Sequence, residues 1–122
     1  MSKVRVVAIL PHNVGKDVRQ EITSRLFPYG SFCIVDVNEF KIESTPHDNA
    51  VFIFLLDTTI SSEEMACLGK IAKDLIKEQK TVRLVSIFGE NDLRGIAMQI
   101  AAPFIDMEVY FNLDEAFESL KK

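Results

Sequence analysis

A cluster of carboxylates and hydroxyls follows the most apolar segment of this 122-residue chain. Asp57 ends the apolar run 50–56, and Ser61 and Glu64 come shortly after it. A carboxylate such as Glu64 can act as a nucleophile or stabilise an oxocarbenium-like centre. The same spacing is that of a capping box, in which Ser61 and Glu64 each bond the other's backbone amide at a helix start. Asp57 is likewise either a catalytic carboxylate or a residue that caps a turn.

Two further polar pairs follow other apolar segments. His12 and Asn13 come after the segment 3–10 and could bind a polar ligand, although a histidine beside proline is commonly a solvated loop residue. Arg94 could hold a carboxylate or phosphate with two parallel hydrogen bonds, whereas Asp92 is also a good helix cap. The candidate catalytic residues are therefore Glu64 and Asp57, and the candidate ligand-binding residues are His12, Asn13, Ser61, Asp92 and Arg94.

Composition and spacing argue against several other classes of site. The two histidines and two cysteines lack metal-ligand spacing, so no metal is expected. No glycine fingerprint or phosphate-binding loop is present, so no cofactor is expected either. A net charge of -4 with scattered basic residues argues against a nucleic-acid partner. No apolar run approaches the roughly 18 residues of a membrane span, so no membrane association is expected.

Two features of the sequence, the N-terminal segment and the cysteines, indicate the cellular compartment. The segment 4–10 is interrupted by Arg5 and leads into Pro11 without a small-residue cleavage site, so we expect no signal peptide. Cys33 and Cys67 lie in apolar patterns, which predicts buried and reduced thiols. A cytoplasmic protein is therefore expected.

Apolar patterns predict the elements that position the candidate residues. The run 50–56 has no alternation, which is typical of a parallel strand buried on both faces. Helical periodicity in the segment 92–101 predicts that Ile96, Ala97, Ile100 and Ala101 face the core. The other strand patterns occupy 3–10, 32–37, 81–88 and 107–111, and the other helical patterns occupy 14–26, 62–79 and 112–120.

This alternation of strands and helices predicts one domain, 1–122, of the α/β class with a three-layer, doubly wound, five-stranded parallel sheet. Asp36 and Glu108 mark the second and fifth strands as edges, so the predicted strand order is 2-1-3-4-5, the flavodoxin-like arrangement. Its switch point lies between strands one and three, where such sheets bind ligands. The loops after strands one, three and four are expected to line one crevice.

Four short stretches resemble the nucleoside 2-deoxyribosyltransferase family and the structurally related TIR-like domains. They are Leu10-Pro11-His12-Asn13, Asn49-Ala50, Glu64-Met65-Ala66-Cys67-Leu68-Gly69 and Asp92-Leu93-Arg94. The resemblance implies that Glu64 is a nucleophile at the anomeric carbon of a nucleoside, a nucleotide or NAD. It also implies that Asp57, His12 and Asn13 surround the sugar or the base.

Two functions of different class follow. The first is a non-catalytic binding or signalling module with TIR-like or receiver-like architecture, acting through a protein partner or a second copy of the chain. The second is an enzyme of N-glycosidic bonds that uses Glu64 on a nucleoside or nucleotide. The first is preferred, because the segment between strands two and three is too short for the helix and aspartate that complete the family's pocket. A receiver's phosphate chemistry is disfavoured, because no carboxylate follows the first strand before Asp17.

Overall fold

The computed structural model describes residues 5–41 and 50–120 of the chain. These residues form a parallel sheet of five strands in the order β2-β1-β3-β4-β5. The strands are β1 (Arg5–Leu10), β2 (Phe32–Asp36), β3 (Ala50–Asp57), β4 (Thr81–Ile87) and β5 (Glu108–Tyr110). The predicted fold class and strand order are confirmed, with Asp36 and Glu108 on the two edge strands.

Helices cover both faces of the sheet. One face packs against α1 (Lys16–Leu26) and α4 (Leu113–Ser119), and the other packs against α2 (Ser62–Lys77) and α3 (Leu93–Ala101). Short 3-10 turns at Phe27–Tyr29 and Ala102–Phe104 extend α1 and α3. Within the described part of the chain, no helix is both long enough and apolar enough to span a bilayer.

The central strand β3 is buried along nearly its whole length. Phe52 and Phe54 belong to the hydrophobic cluster under α2, whereas Ile53 and Leu55 belong to the cluster under α1 and α4. Complete burial of a side chain of this size contributes about 1.5–3 kcal/mol, so both faces of β3 favour coverage by helices. The unalternating apolar run therefore predicts this strand correctly.

The predicted orientation of α3 is wrong. Ile96 and Ile100, which the periodicity predicts to face the core, are 47% and 69% exposed. Ala97 is exposed as well, and of the four predicted residues only Ala101 is half-buried, together with Gly95 and Met98. The physical reason is the close approach of the helix to the chain beneath it. A Cβ added at Gly95 would lie only 2.7 Å from the Cβ of Phe88. With the backbones this close, the helix turns its large aliphatic side chains outward.

The cysteines also differ from the prediction in their burial. Both are free thiols, but Cys33 is exposed and Cys67 is only partly buried. Cys33 lies on β2, an edge strand whose side chains are less covered than those of β3. The surrounding protein nevertheless removes part of the hydration of the Cys33 thiol, which raises its pKa above the ordinary value.

The close approach of α3 gives a first testable prediction. Gly95→Ala should destabilise the protein by about 1–3 kcal/mol, because the new Cβ overlaps Phe88 and forces the helix to shift. The matched control is Gly69→Ala in α2, where nothing lies within 4 Å of the added Cβ. That change should stabilise the protein by about 0.5–1 kcal/mol through helix propensity. Urea denaturation measures both, and a Gly95→Ala variant as stable as Gly69→Ala would contradict the packing described.

Candidate functional site

Glu64 links two loops at the carboxyl edge of the sheet. Its Oε1 accepts a hydrogen bond of 2.9 Å from the amide of Ser61, and Ser61 Oγ accepts one of 3.1 Å from the amide of Glu64. These two bonds form the capping box at the start of α2. Oε2 accepts a 2.7 Å bond from the amide of His12, which belongs to the loop after β1. The residue is only 5% exposed, so both carboxylate oxygens are engaged inside the protein.

The hydrogen bonds to Glu64 determine its protonation state. Burial alone would raise the pKa of its carboxyl, because an ion loses hydration in the interior. The bonds from the backbone amides of His12 and Ser61 outweigh that effect and hold the pKa below its ordinary value of 4.5. Glu64 is therefore an ionised, buried carboxylate at neutral pH, with its charge stabilised by two fixed amides.

The imidazole of His12 is held from the edge strand β2. Its Nδ1 lies 2.5 Å from Oδ2 of Asp36, the last residue of β2, while the ring stays largely exposed. Because an ionised carboxylate only accepts hydrogen bonds, Nδ1 carries the proton. The hydrogen bond to Asp36 raises the pKa of His12 above its ordinary value of 6.5. Asp36 is a site residue that the sequence analysis missed. A sequence signal exists, because Asp36 ends β2 and the predicted strand order places β2 beside β1.

Asp57 and Asn13 occupy different settings at the same edge. Asp57 is buried at the end of β3, and its Oδ1 accepts hydrogen bonds from the amide and the hydroxyl of Thr59 at 2.9 and 2.5 Å. It therefore closes the turn that leads toward α2. Asn13 lies in the exposed turn beside His12.

Arg94 joins the start of α3 to the loop after β3. Its guanidinium binds both oxygens of Asp92, with Nε to Oδ1 at 3.0 Å and Nη2 to Oδ2 at 2.8 Å. Nη1 donates to the carbonyl of Ile60 at 2.7 Å, and Nη2 donates to that of Thr58 at 3.1 Å. The guanidinium carbon also lies 5.0 Å from the centre of the Phe88 ring. All three nitrogens of this cation are thus committed to the protein itself.

Hydrogen bonds of the predicted residues join the loops of this edge in two separate pairs. Glu64, Ser61 and His12 join the loop after β1 to the start of α2. Arg94 and Asp92 join the start of α3 to the loop after β3. Five of the seven predicted residues therefore bond within these two groups, whereas Asp57 bonds Thr59. Among residues 5–41 and 50–120, no three His, Cys, Asp or Glu side chains converge so as to hold a metal ion.

A concave surface lies away from these loops, between α1 and α4. It is an open groove of about 560 Å³, lined by Arg25, Pro28, Tyr29, Asp114, Phe117 and Glu118. Arg25 donates to Glu21 and Asp114 and lies over the Phe117 ring. The cation of this lining is therefore already paired within the chain.

The outward face of α3 is a second feature that the sequence analysis missed. Leu93 and Phe104 are 77% and 87% exposed, and Ile96, Ala97 and Ile100 are exposed between them. We call the following five residues the α3 strip: Leu93, Ile96, Ala97, Ile100 and Phe104. At 3.6 residues per turn, the four strip residues within α3 fall in an arc of about 100°. A sequence signal exists, because Arg94 is the only charged residue in the segment 93–105.

Comparison with protein-family models, with curated proteins and with solved structures finds no match to this chain. The part of the expected resemblance that the structure supports is the flavodoxin-like arrangement of the five strands. Asn49, which belongs to one of the resembling stretches, lies outside the described residues, as do residues 3 and 4 of the predicted first strand.

The buried charge of Glu64 generates a prediction on acid stability. A carboxyl whose pKa is lowered by folding stabilises the protein above its unfolded pKa, and this contribution is lost as the pH falls through the folded pKa. Glu64→Gln should therefore lower the free energy of unfolding by about 1–3 kcal/mol at pH 7, and the deficit should shrink below pH 4.5. Glu63→Gln, an exposed neighbour, should cost about 0.3–1 kcal/mol. Urea denaturation from pH 3 to pH 7 tests this, and a deficit that stays constant with pH would contradict it.

The contact between His12 and Asp36 predicts a measurable titration. The imidazole should titrate above 6.5, because the carboxylate of Asp36 stabilises its protonated form. Asp36→Asn should move the midpoint back toward 6.5, whereas Glu39→Gln, which removes a weaker influence, should move it less. The stability that this contact contributes is present below pH 6.5 and is lost as the pH rises through the folded pKa. NMR titration of the His12 ring protons measures the shift, and an unchanged midpoint in Asp36→Asn would overturn the assignment.

Proposed function

We propose that this chain is a non-catalytic protein-interaction module that acts through the α3 strip. The observation that carries the proposal is the exposure of three large apolar side chains on one face of α3 and of a fourth, Phe104, in the turn that follows. Single exposed apolar residues are common on protein surfaces, whereas the largest contiguous apolar patch of a protein is often a functional site. The partner that fits such a surface is a protein with an apolar face of its own.

The size and charge of the strip support this function. Its side chains together expose on the order of 400–500 Å² of apolar surface, within the range of the largest patches on monomeric proteins. The core of a protein interface is depleted in charged residues, and the only charged group in this segment, Arg94, is paired with Asp92. The strip therefore has the composition of an interface core.

The attachment of α3 favours binding by a rigid surface. Asp92 caps the helix by accepting a hydrogen bond from the amide of Arg94, and the Arg94 side chain fixes that end to the loop after β3. Gly95 packs against Phe88 at the first turn. A surface that is already ordered before binding loses less conformational entropy when the partner arrives.

The geometry of Glu64 favours a binding module over an N-glycosidic enzyme. A nucleophilic carboxylate must present an oxygen to the anomeric carbon of the substrate. Both oxygens of Glu64 accept hydrogen bonds from backbone amides, and the residue is buried. Capping of α2 through Oε1 and attachment of the loop after β1 through Oε2 account for the hydrogen bonds of both oxygens.

The test is a site-specific photo-crosslinking experiment in the cells that contain the protein. A photoreactive side chain placed at Ile100 should give a discrete protein adduct. The same group at Lys73, an exposed position of α2, should give none. Failure to obtain an adduct at Ile100 would count against the module.

A second measurement separates the module from the enzyme. The purified protein should release no free base from nucleosides, nucleotides or NAD beyond the rate seen with Glu64→Gln. Base release that requires Glu64 would replace this proposal with the glycosidic one.

A further inference from the structure

We infer that the partner of the α3 strip is a second copy of this chain, bound with the two α3 helices antiparallel about a twofold axis. The inference rests on the proposed function, because it names the occupant of the same surface. A twofold interface brings the same surface of both copies together, so residue i contacts residue j and residue j contacts residue i. The strip must therefore be complementary to itself.

The order of side chains along the strip is nearly palindromic. Ile96 and Ile100 lie at equal distances on either side of position 98, and Leu93 and Phe104 lie five and six residues from it. An antiparallel pair centred there places Ile96 against Ile100 of the other copy and Leu93 against Phe104. Ala97, the small member of the strip, lies near the centre, where it permits the close approach of two packed helices.

Charge gives a second argument for a copy of the same chain. The strip presents no charged group that would require an oppositely charged partner, because the Arg94 guanidinium is bound to Asp92 and to two carbonyls. An uncharged apolar surface meets an identical surface without like-charge contact at its centre. The antiparallel orientation also sets opposite ends of the two helix dipoles side by side.

The buried area predicts the strength of the dimer. Two strips facing each other would bury on the order of 1,000 Å², at the lower limit of specific interfaces. Interfaces of this size are weak and transient, so we expect a dissociation constant on the order of 10–100 µM. The dimer should therefore appear and disappear across an accessible range of concentration.

Sedimentation velocity over about 1 µM to 1 mM measures this equilibrium directly. The wild-type protein should shift from monomer to dimer, and Ile100→Glu should weaken the association by about tenfold or more, because each copy then places a carboxylate in the contact. The matched control is Gln99→Glu, which adds the same charge one residue away, off the strip, and should leave the dimer unchanged. Because Ile100 is exposed in the monomer, thermal melting of Ile100→Glu should match that of Gln99→Glu.

A mixing experiment tests the antiparallel register. Ile96→Lys and Ile100→Glu should each dimerise poorly alone. An equimolar mixture should form a heterodimer about tenfold tighter than either homodimer, because the introduced ammonium group then faces the introduced carboxylate across the contact. On the other side of the twofold axis, Ile100 of the first variant faces Ile96 of the second, so that apolar contact is kept. A parallel arrangement would place each position against itself and give no such recovery.

The outcomes separate this inference from the proposed function. If the wild-type protein stays monomeric up to about 1 mM, the inference that the partner is a second copy of the chain is wrong. If photo-crosslinking at Ile100 then gives an adduct with a different protein, the interaction module stands and only the inference of self-association fails. If neither association occurs, both fail. A dimer that Ile100→Glu leaves intact also overturns the inference, because the contact then lies elsewhere.

Discussion

Burial of β3 on both faces is the constraint on which the rest of the structure depends. Because Phe52 and Phe54 point to one side and Ile53 and Leu55 to the other, the strand loses its contribution to stability unless both faces are covered. The parallel connections supply that cover, with two helices on each face. They also bring the loops that follow β1, β3 and β4 to a single edge of the sheet. The position of the polar residues follows from this packing and not from any attraction among them.

Once these loops meet at the edge, their charged groups must be satisfied where they are partly out of water. A buried carboxylate is costly unless it is hydrogen-bonded, and Glu64 meets this requirement with the amides of His12 and Ser61. The guanidinium of Arg94 likewise donates hydrogen bonds to Asp92 and to two backbone carbonyls. The result is a set of bonds that ties adjacent loops together. The candidate catalytic residues Glu64 and Asp57 thus take part in hydrogen bonds that hold the loops of this edge.

The sequence predicts the strand order and the caps of α2 and α3, because these depend on short-range chemistry and on the contrast between central and edge strands. The capping box at Ser61 and Glu64 is confirmed, as is the cap of α3 by Asp92. The orientation of α3 is not predictable in the same way. Periodicity locates an apolar face but does not give the distance to the sheet, and Gly95 matters only because Phe88 lies beneath it. The contact between His12 and Asp36 likewise depends on two strand ends lying side by side.

The α3 strip and the polar edge are opposite results of the same packing. At the edge, the carboxylate of Glu64 and the guanidinium of Arg94 find hydrogen-bonding partners within the chain. On α3, close contact between Gly95 and Phe88 leaves Leu93, Ile96 and Ile100 in water. Water penalises that exposure in proportion to its area, and a partner that covers the strip removes the penalty. Covering the α3 strip would therefore lower the free energy of the protein, and this is why we propose that it acts through this surface.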